Sequence, residues 1–424
     1  MRRTLNRAAG PVLLLGLAVT LAAGCGTQHS SATGANHSAS GSASNSPQDT
    51  ASPTPSPSCG TSTASAAGRP AQLTLNAVQF VTASEGWVVG SDRILHTIDG
   101  GAHWATQYST SQEAGLATVD FTDASHGWVV GATTVLATSD GGAHWRALPE
   151  PCEPIRAVHF FSPSRGVAVA AGGAPNLGVP SGAGGVLLGT SDGGESWRPM
   201  SSPPDVQTAC FTDAGHGWLG AGGNIYGTSN GGQTWTLDVR RQHPAGGSPG
   251  YAVTAQVECA GPAAAWALLI GPGAAMSQQP QLGYHTFGRT WQPIFAEQFF
   301  PHAGVRVKAE APGPYPGPFS AISPTQAVFI GYCAPCSVRG APQLQGTAPM
   351  DIATNGGAML VARGAIPHLA QANGAAFVSA DEGWVVGTQS RYPLSGQGHV
   401  RTVSRILHTT DGGRTWQVQY ALGP

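Results

Sequence analysis

An eight-residue box constrains this chain more than any other feature. Thr97-Ile98-Asp99-Gly100-Gly101-Ala102-His103-Trp104 recurs as Thr138-Ser139-Asp140-Gly141-Gly142-Ala143-His144-Trp145. It returns around Asp192 to Trp197, Asn230 to Trp235 and Asp411 to Trp416. Each copy reads as a hairpin turn. The Asp or Asn oxygen can accept backbone N–H bonds inside it, and the glycine pair supplies positive φ. The tryptophan then opens the next strand with a large apolar surface. The residues before the box repeat too: Gly86-Trp87-Val88-Val89-Gly90, Gly127-Trp128-Val129-Val130-Gly131, Gly217-Trp218 and Gly383-Trp384-Val385-Val386-Gly387. A third unit runs from Val158-His159-Phe160 through Gly166-Val167-Ala168-Val169 to Val186-Leu187-Leu188. Two further units are eroded. One keeps Trp266-Ala267-Leu268-Leu269 and Thr286 to Trp291; the other keeps Ala327 to Gly331 and Asn355-Gly356-Gly357, with Leu360 in the tryptophan position.

Self-similarity at a period near 40 residues in the sharper units indicates a propeller or a solenoid, and seven units, some lengthened by insertions, fill residues 72–420. Each unit has four short β-type runs separated by turn residues, and no long 3.6-residue apolar stripe occurs beyond the N-terminus. A solenoid expects shorter rungs and an open end, whereas four-stranded sheets repeated seven times close into a ring. The expected fold is therefore all-β: a seven-bladed β-propeller of four-stranded antiparallel blades over residues 71–424. All 11 tryptophans fall in two repeat positions. Trp87, Trp128, Trp218, Trp266 and Trp384 follow the small residue that opens strand two, and the others close the box. Fixed positions mean packing between strands and blades, not a carbohydrate-stacking platform.

The units resemble the Asp-box, or bacterial neuraminidase repeat, Ser/Thr-x-Asp-x-Gly-x-Thr-Trp. The fuller unit is similar to the propellers of the photosystem II assembly/stability factor family. The resemblance is strong in units 1, 2, 4 and 7 and poor in 5 and 6. It assigns structural box roles to Asp99, Trp104, Asp140, Trp145, Asp192, Trp197, Asn230, Trp235, Trp291, Asp411 and Trp416. Members of that family act as assembly chaperones, so the resemblance implies a binding or assembly scaffold, although the box itself serves enzymes and scaffolds alike and is unspecific for function.

The N-terminus carries a separate signal. Arg2, Arg3 and Arg7 precede an apolar run from Pro11 to Ala23, too short to span a bilayer and suited to a signal-peptide core. It ends in Leu21-Ala22-Ala23-Gly24-Cys25, which resembles the lipobox of bacterial lipoproteins; the leucine lies four residues before the cysteine rather than three. The expected order is a signal peptide over 1–24, then a Ser/Thr/Pro/Gly-rich tether over 25–70 lipidated at Cys25, then the propeller. Such a chain is held at the extracytoplasmic face of the cell membrane.

Six cysteines remain, an even number that suggests disulfides in an exported protein. Nearness along the chain pairs Cys59 with Cys152, Cys210 with Cys259 and Cys333 with Cys336; a redox dithiol is the alternative for the last pair. Charged residues make up only 10% and Lys308 is the sole lysine, which argues against nucleic acid. No histidine or cysteine spacing matches a metal site, and the boxes have too few oxygens for calcium, so neither metal nor cofactor is expected.

In a four-stranded blade the one–two and three–four turns share one end of the ring. The long insertions do not. Ala171–Gly185, Gly271–Gln281, Tyr332–Pro349 and Thr388–Val403 fall between strands two and three; Arg240–Gly250 and Phe295–Pro318 join strand four to the next strand one. All six emerge opposite the boxes, where repeat folds usually bind. The expected partner is a protein, with carbohydrate as the alternative, and the candidate contacts are Arg240, Arg241, Phe299, Phe300, His302, Tyr315 and Arg391. The competing class is an Asp-box glycoside hydrolase. It needs two carboxylates across a cleft, for which Asp120, Asp213 and Glu258 are the candidates. No sialidase-type Phe/Tyr-Arg-Ile-Pro start is present, and the expected class is non-catalytic.

Overall fold

In the computed structural model the described residues are 73–423, apart from 111–114, 150–153, 173–183, 241–253, 272–280, 289, 297–308, 314, 333–346 and 392–400. They form seven antiparallel sheets and, among the described residues, no helix. The innermost strands, in blade order, are Leu75–Phe80, Thr118–Phe121, Ile155–Phe160, Val206–Phe211, Thr254–Cys259, Pro316–Ser323 and Gln371–Phe377. Each sheet then runs outward in sequence order. Blade 5 departs from the expected four strands. Ala309–Glu310, inside the Phe295–Pro318 insertion, adds a short fifth strand parallel to Thr290–Ala296.

The boxes fold as their chemistry dictates. In blade 1 the Thr97 hydroxyl donates to Asp99 Oδ1 at 2.9 Å and accepts the Gly101 amide at 2.8 Å, while Asp99 Oδ1 accepts the His103 amide at 2.9 Å. The same bonds recur at Asp140, Asp192, Asn230 and Asp411. Gly100 and Gly101 sit at φ 68° and 87°, a region closed to most side chains. A second tie is present in all seven blades. The first box glycine donates its N–H to a carbonyl of the same blade's one–two turn: Gly100 to Ser84, Gly141 to Ser125, Gly193 to Ser164, Gly231 to Gly215, Gly288 to Ala263, Gly356 to Thr325 and Gly412 to Asp381. Turn and box therefore form one rim.

Strand two of each blade is buried along nearly its whole length, because both sheet faces are covered. The core is not one body. It consists of seven apolar wedges, one at each junction of neighbouring blades. Their corners are aromatic. Trp87 stacks on Phe121, Trp128 on Phe160 and Trp384 on Phe80, with ring centroids 3.5–3.6 Å apart. The box tryptophan of the receiving blade meets the same phenylalanine edge-on, as Trp145 does with Phe121 at 6.0 Å. Each such ring pair contributes about 0.5–1.5 kcal/mol beyond area burial.

These rings also explain the glycine that opens strand two. A Cβ on Gly86 would lie 2.5 Å from the Phe80 ring, and one on Gly383 would lie 2.2 Å from that of Phe377. Blades 5 and 6 have Cys259 and Ala321 in the phenylalanine position. There the glycine is replaced by Ala265 and Ala327.

Blade 1 consists only of N-terminal strands and blade 7 only of C-terminal ones, so among the described residues no shared strand latches the ring. Side chains close it. Trp384 stacks on Phe80 and its Nε1–H donates to Gly100 O; Gln419 donates to the same carbonyl at 2.8 Å. Asn373 donates to Leu75 O, and the Ser404 hydroxyl accepts the Leu75 amide.

Candidate functional site

Two regions of the ring are candidates for function: the channel wall and the insertion face. The wall is built from the first strands, and one position on it repeats around the ring. This is the residue paired with the strand-two tryptophan, immediately before the phenylalanine position. Its side chain clasps the next blade. Gln79 Oε1 accepts the Phe121 amide at 2.6 Å, and Asp120 Oδ2 accepts the Phe160 amide at 2.5 Å. His159 Nε2–H donates to Phe211 O at 2.9 Å. Glu258 Oε2 accepts the Ala321 amide at 2.8 Å, and the Ser320 hydroxyl accepts the Phe377 amide at 3.1 Å. Between blades 4 and 5 the clasp is covalent. Cys210 occupies this position and Cys259 the phenylalanine position of the next blade, and they form a disulfide with Cα atoms 5.7 Å apart. Cys59, Cys152, Cys333 and Cys336 lie outside the described residues. At the seam, blade 7 has Ala376, which has no group to offer.

The channel encloses about 700 Å3. Its polar lining is mostly neutral: Asn76, Thr118, Thr208, Gln256, Gln371 and Asn373. Glu258 is the one carboxylate among the described residues that line it. Burial pushes Glu258 up to about 7, against the pull of the Ala321 amide. Burial also raises Asp120, while the neighbouring His159 acts in the opposite direction. Asp213 sits elsewhere. It caps the one–two turn of blade 4, accepting the amides of Gly215 and His216 at 2.6 and 2.8 Å. The three acids considered for catalysis are thus a clasp, a clasp and a turn cap. Among the described residues no group of three or more His, Cys, Asp or Glu side chains converges in a way that could hold a metal.

The box rim carries carboxylates tied down by neighbouring side chains. Asp99, Asp140 and Asp411 are each held at about 2, chiefly by side-chain bonds from His103, His144 and Thr415. His96 and His408 lie flat on Trp87 and Trp384 at 4.7 and 4.5 Å, and desolvation lowers both. These histidines are packing elements of the blade junctions.

On the insertion face the structure places part of the expected set. Arg240 is exposed at the end of blade 4. Tyr315 is half-buried; its ring meets Tyr332 edge-on at 5.6 Å, and its carbonyl accepts the Tyr332 amide. Arg391 ends strand two of blade 7, paired with Arg401 across an extended hairpin. Cys25, Arg241, Phe299, Phe300 and His302 lie outside the described residues. Tyr332 is a partner of Tyr315 that the sequence reading did not select, since nothing in the spacing of the two marks them as neighbours.

Residues 106–248 match the family described as Photosynthesis system II assembly factor YCF48. The chain is an Asp-box β-propeller resembling these assembly factors. No curated protein matches it significantly in sequence. Among solved structures it is similar to YCF48 from Cyanidioschyzon merolae, with 15% identity and a TM-score of 0.48 over 75% of this chain and 94% of that one. It is also similar to U3-55K, at 10% identity and a TM-score of 0.50, covering 75% of this chain and 89% of that one. An ancestral GH74 enzyme aligns at 13% identity and a TM-score of 0.47, over 81% of this chain and 54% of that one. At these identities the structural likeness concerns the fold alone.

Proposed function

We propose that this chain is a non-catalytic protein-binding or assembly scaffold, anchored through a lipidated Cys25 to the extracytoplasmic face of the cell membrane. The observation that carries the non-catalytic reading is the channel wall. A glycoside hydrolase needs two carboxylates facing one cleft. Glu258 stands alone among the described lining, and its oxygen is bonded to the next blade. Residues 106–248 support the assembly role through their family match. The partner surface is the insertion face, with Arg240, Arg241, Phe299, Phe300, His302, Tyr315 and Arg391 as contacts. The described box rim is knitted into its own turns, which leaves the opposite face for a partner.

The test is crosslinking in intact membranes, with three proteins compared: wild type, Cys25→Ser, and a combined Arg240→Ala, Tyr315→Ala, Arg391→Ala variant. The scaffold reading expects a defined adduct with wild type and its loss from the insertion-face variant. It also expects release of Cys25→Ser from the membrane fraction. Identical adducts from all three, with Cys25→Ser still in the membrane, would refute it.

A further inference from the structure

Two blades carry a hydrogen-bond relay that the others lack. In blade 7, Glu382 Oε1 lies 3.3 Å from His408 Nε2, and His408 Nδ1 lies 3.1 Å from Gln419 Nε2. Gln419 Nε2 also reaches Gly100 O, in the box of blade 1, at 2.8 Å. Blade 1 repeats the arrangement. Glu85 meets His96 at 3.3 Å, His96 meets Gln107 at 3.0 Å, and Gln107 donates to Gly141 O of blade 2 at 2.8 Å. Strand register puts Ala137, Gly189, Gly227 and Ile352 in the histidine position of blades 2, 3, 4 and 6. Blade 5 has His285 there, but its Nε2–H donates to Pro324 O. Blade 1 is therefore the one blade gripped by this relay on both sides.

The relay holds only with neutral imidazoles. A carboxylate faces Nε2, so that nitrogen carries the hydrogen, and Nδ1 keeps a lone pair for the glutamine N–H. A second proton enters at Nδ1. There it opposes the glutamine N–H, and the amide must invert to present Oε1. At the seam that oxygen is already buried without a hydrogen-bond partner, so inversion gives it one. Inversion also sets Oε1 where Nε2 was, 2.8 Å from the Gly100 carbonyl oxygen, and two acceptors at that distance repel. At junction 1–2 the same step turns the Gln107 N–H against Trp87 Nε1–H, which donates to Gln107 Oε1 at 3.2 Å. The two junctions differ in what else holds them. Gln79 clasps blade 2 through both its amide atoms, whereas Ala376 leaves the seam without a clasp at that position.

We propose that His408 and His96 form an acid-operated latch, whose protonation frees blade 1 from its neighbours and opens the ring at the seam. Glu382, from its own blade's one–two turn, and Asp99, from the facing box, line one crevice with His408. Glu85 faces His96, and Asp140 is the counterpart of Asp99 in the next box. The strand neighbours of the two rings, Trp87 and Ala105, Trp384 and Gln417, are uncharged. Burial lowers both histidines, and the bonds from Glu382 and Glu85 only partly offset it. Histidines that take up protons less readily folded than unfolded leave the latch closed above about 6.5 and release it as pH falls below that value.

Hydrogen–deuterium exchange of the full chain, read by mass spectrometry and corrected for the intrinsic rate at each pH, tests the latch. From about pH 7.5 to about pH 5 the blade 1 box, residues 97–104, is expected to lose about fivefold or more of its protection, the factor of one lost hydrogen bond. The blade 4 box, residues 228–235, lacks the relay and is the internal reference. Gln107→Leu with Gln419→Leu copies blade 2, which has Leu148 in that position. This variant keeps both histidines and removes the amides, so the pH response of the blade 1 box should vanish; titration of the buried rings alone would leave it in place. Glu85→Gln with Glu382→Gln should move the response to lower pH by about one unit, because the protonated ring loses its counter-ion. A wild-type box whose protection relative to blade 4 is the same at both pH values overturns the proposal. So does a response that persists in the folded glutamine-to-leucine protein, or a midpoint unmoved by the glutamate changes.

Discussion

Replacing the Cys210–Cys259 bridge isolates one clasp of the ring. The cysteines are 49 residues apart, so in the chain-entropy model the cross-link stabilises the fold by about 4 kcal/mol. For a propeller of roughly 350 residues the unfolding entropy is about 0.7 kcal/mol/K, so Cys210→Ser with Cys259→Ala should lower the melting temperature by about 5–6 °C. Scanning calorimetry without reductant gives this value and leaves the other cysteines untouched. The junction can then be rebuilt in the chemistry of blades 1 and 2. Cys210→Gln restores an acceptor for the next blade's amide, worth about 1 kcal/mol. Cys259→Phe adds an aromatic corner worth about 0.5–1.5 kcal/mol, but only with Ala265→Gly, because the ring lies across that position wherever phenylalanine is present. The triple variant should regain about half of the loss, and Cys210→Gln with Cys259→Phe on Ala265 should melt lower than either. A serine–alanine variant within about 1 °C of wild type would refute the reasoning, as would a rebuilt junction indifferent to residue 265.

Other outcomes follow from the same geometry. Gly86→Ala should cost about 1–3 kcal/mol by overpacking against Phe80, whereas Ala265→Gly should cost less than about 1 kcal/mol in the same melts. Asp99, Asp140 and Asp411 titrate at about 2 in the folded chain, below their ordinary value near 3.8. Their contribution is complete above that value and is lost as pH falls from about 4 to 2. Changing all three to Asn, as at Asn230, should flatten that part of the melting-temperature profile. Glu258 behaves oppositely: its folded value is raised from 4.5 to about 7, so stability declines as pH rises through that interval. Glu258→Gln keeps an acceptor for Ala321 and should remove the decline, gaining no more than about 3 kcal/mol at pH 8. A Glu258→Gln profile parallel to wild type would contradict the assigned burial.

The blade count was legible because its markers are residues with few substitutes. Positive φ at the box demands glycine, and five of the seven strand-two corners and six of the seven boxes hold an indole, so the pattern recurs around the ring. Erosion in units 5 and 6 did not hide the blades, because Trp266 and Gly356-Gly357 kept their positions. The clasp was not legible. Gln79, Asp120, His159, Cys210, Glu258 and Ser320 share one register position but no chemistry, since any side chain that reaches the next backbone will serve. Cys210 and Cys259 were paired from nearness along the chain, while the physical cause is their place as clasp and neighbour across a junction. The strand Ala309–Glu310 escaped because two residues in a Pro-rich segment carry no period.

The claim that the channel performs no chemistry is tested most directly by a glycan panel incubated with the purified propeller, with release of reducing ends measured for wild type and Glu258→Gln. The account predicts release from neither protein above the enzyme-free blank. Release by wild type that disappears in Glu258→Gln would contradict it.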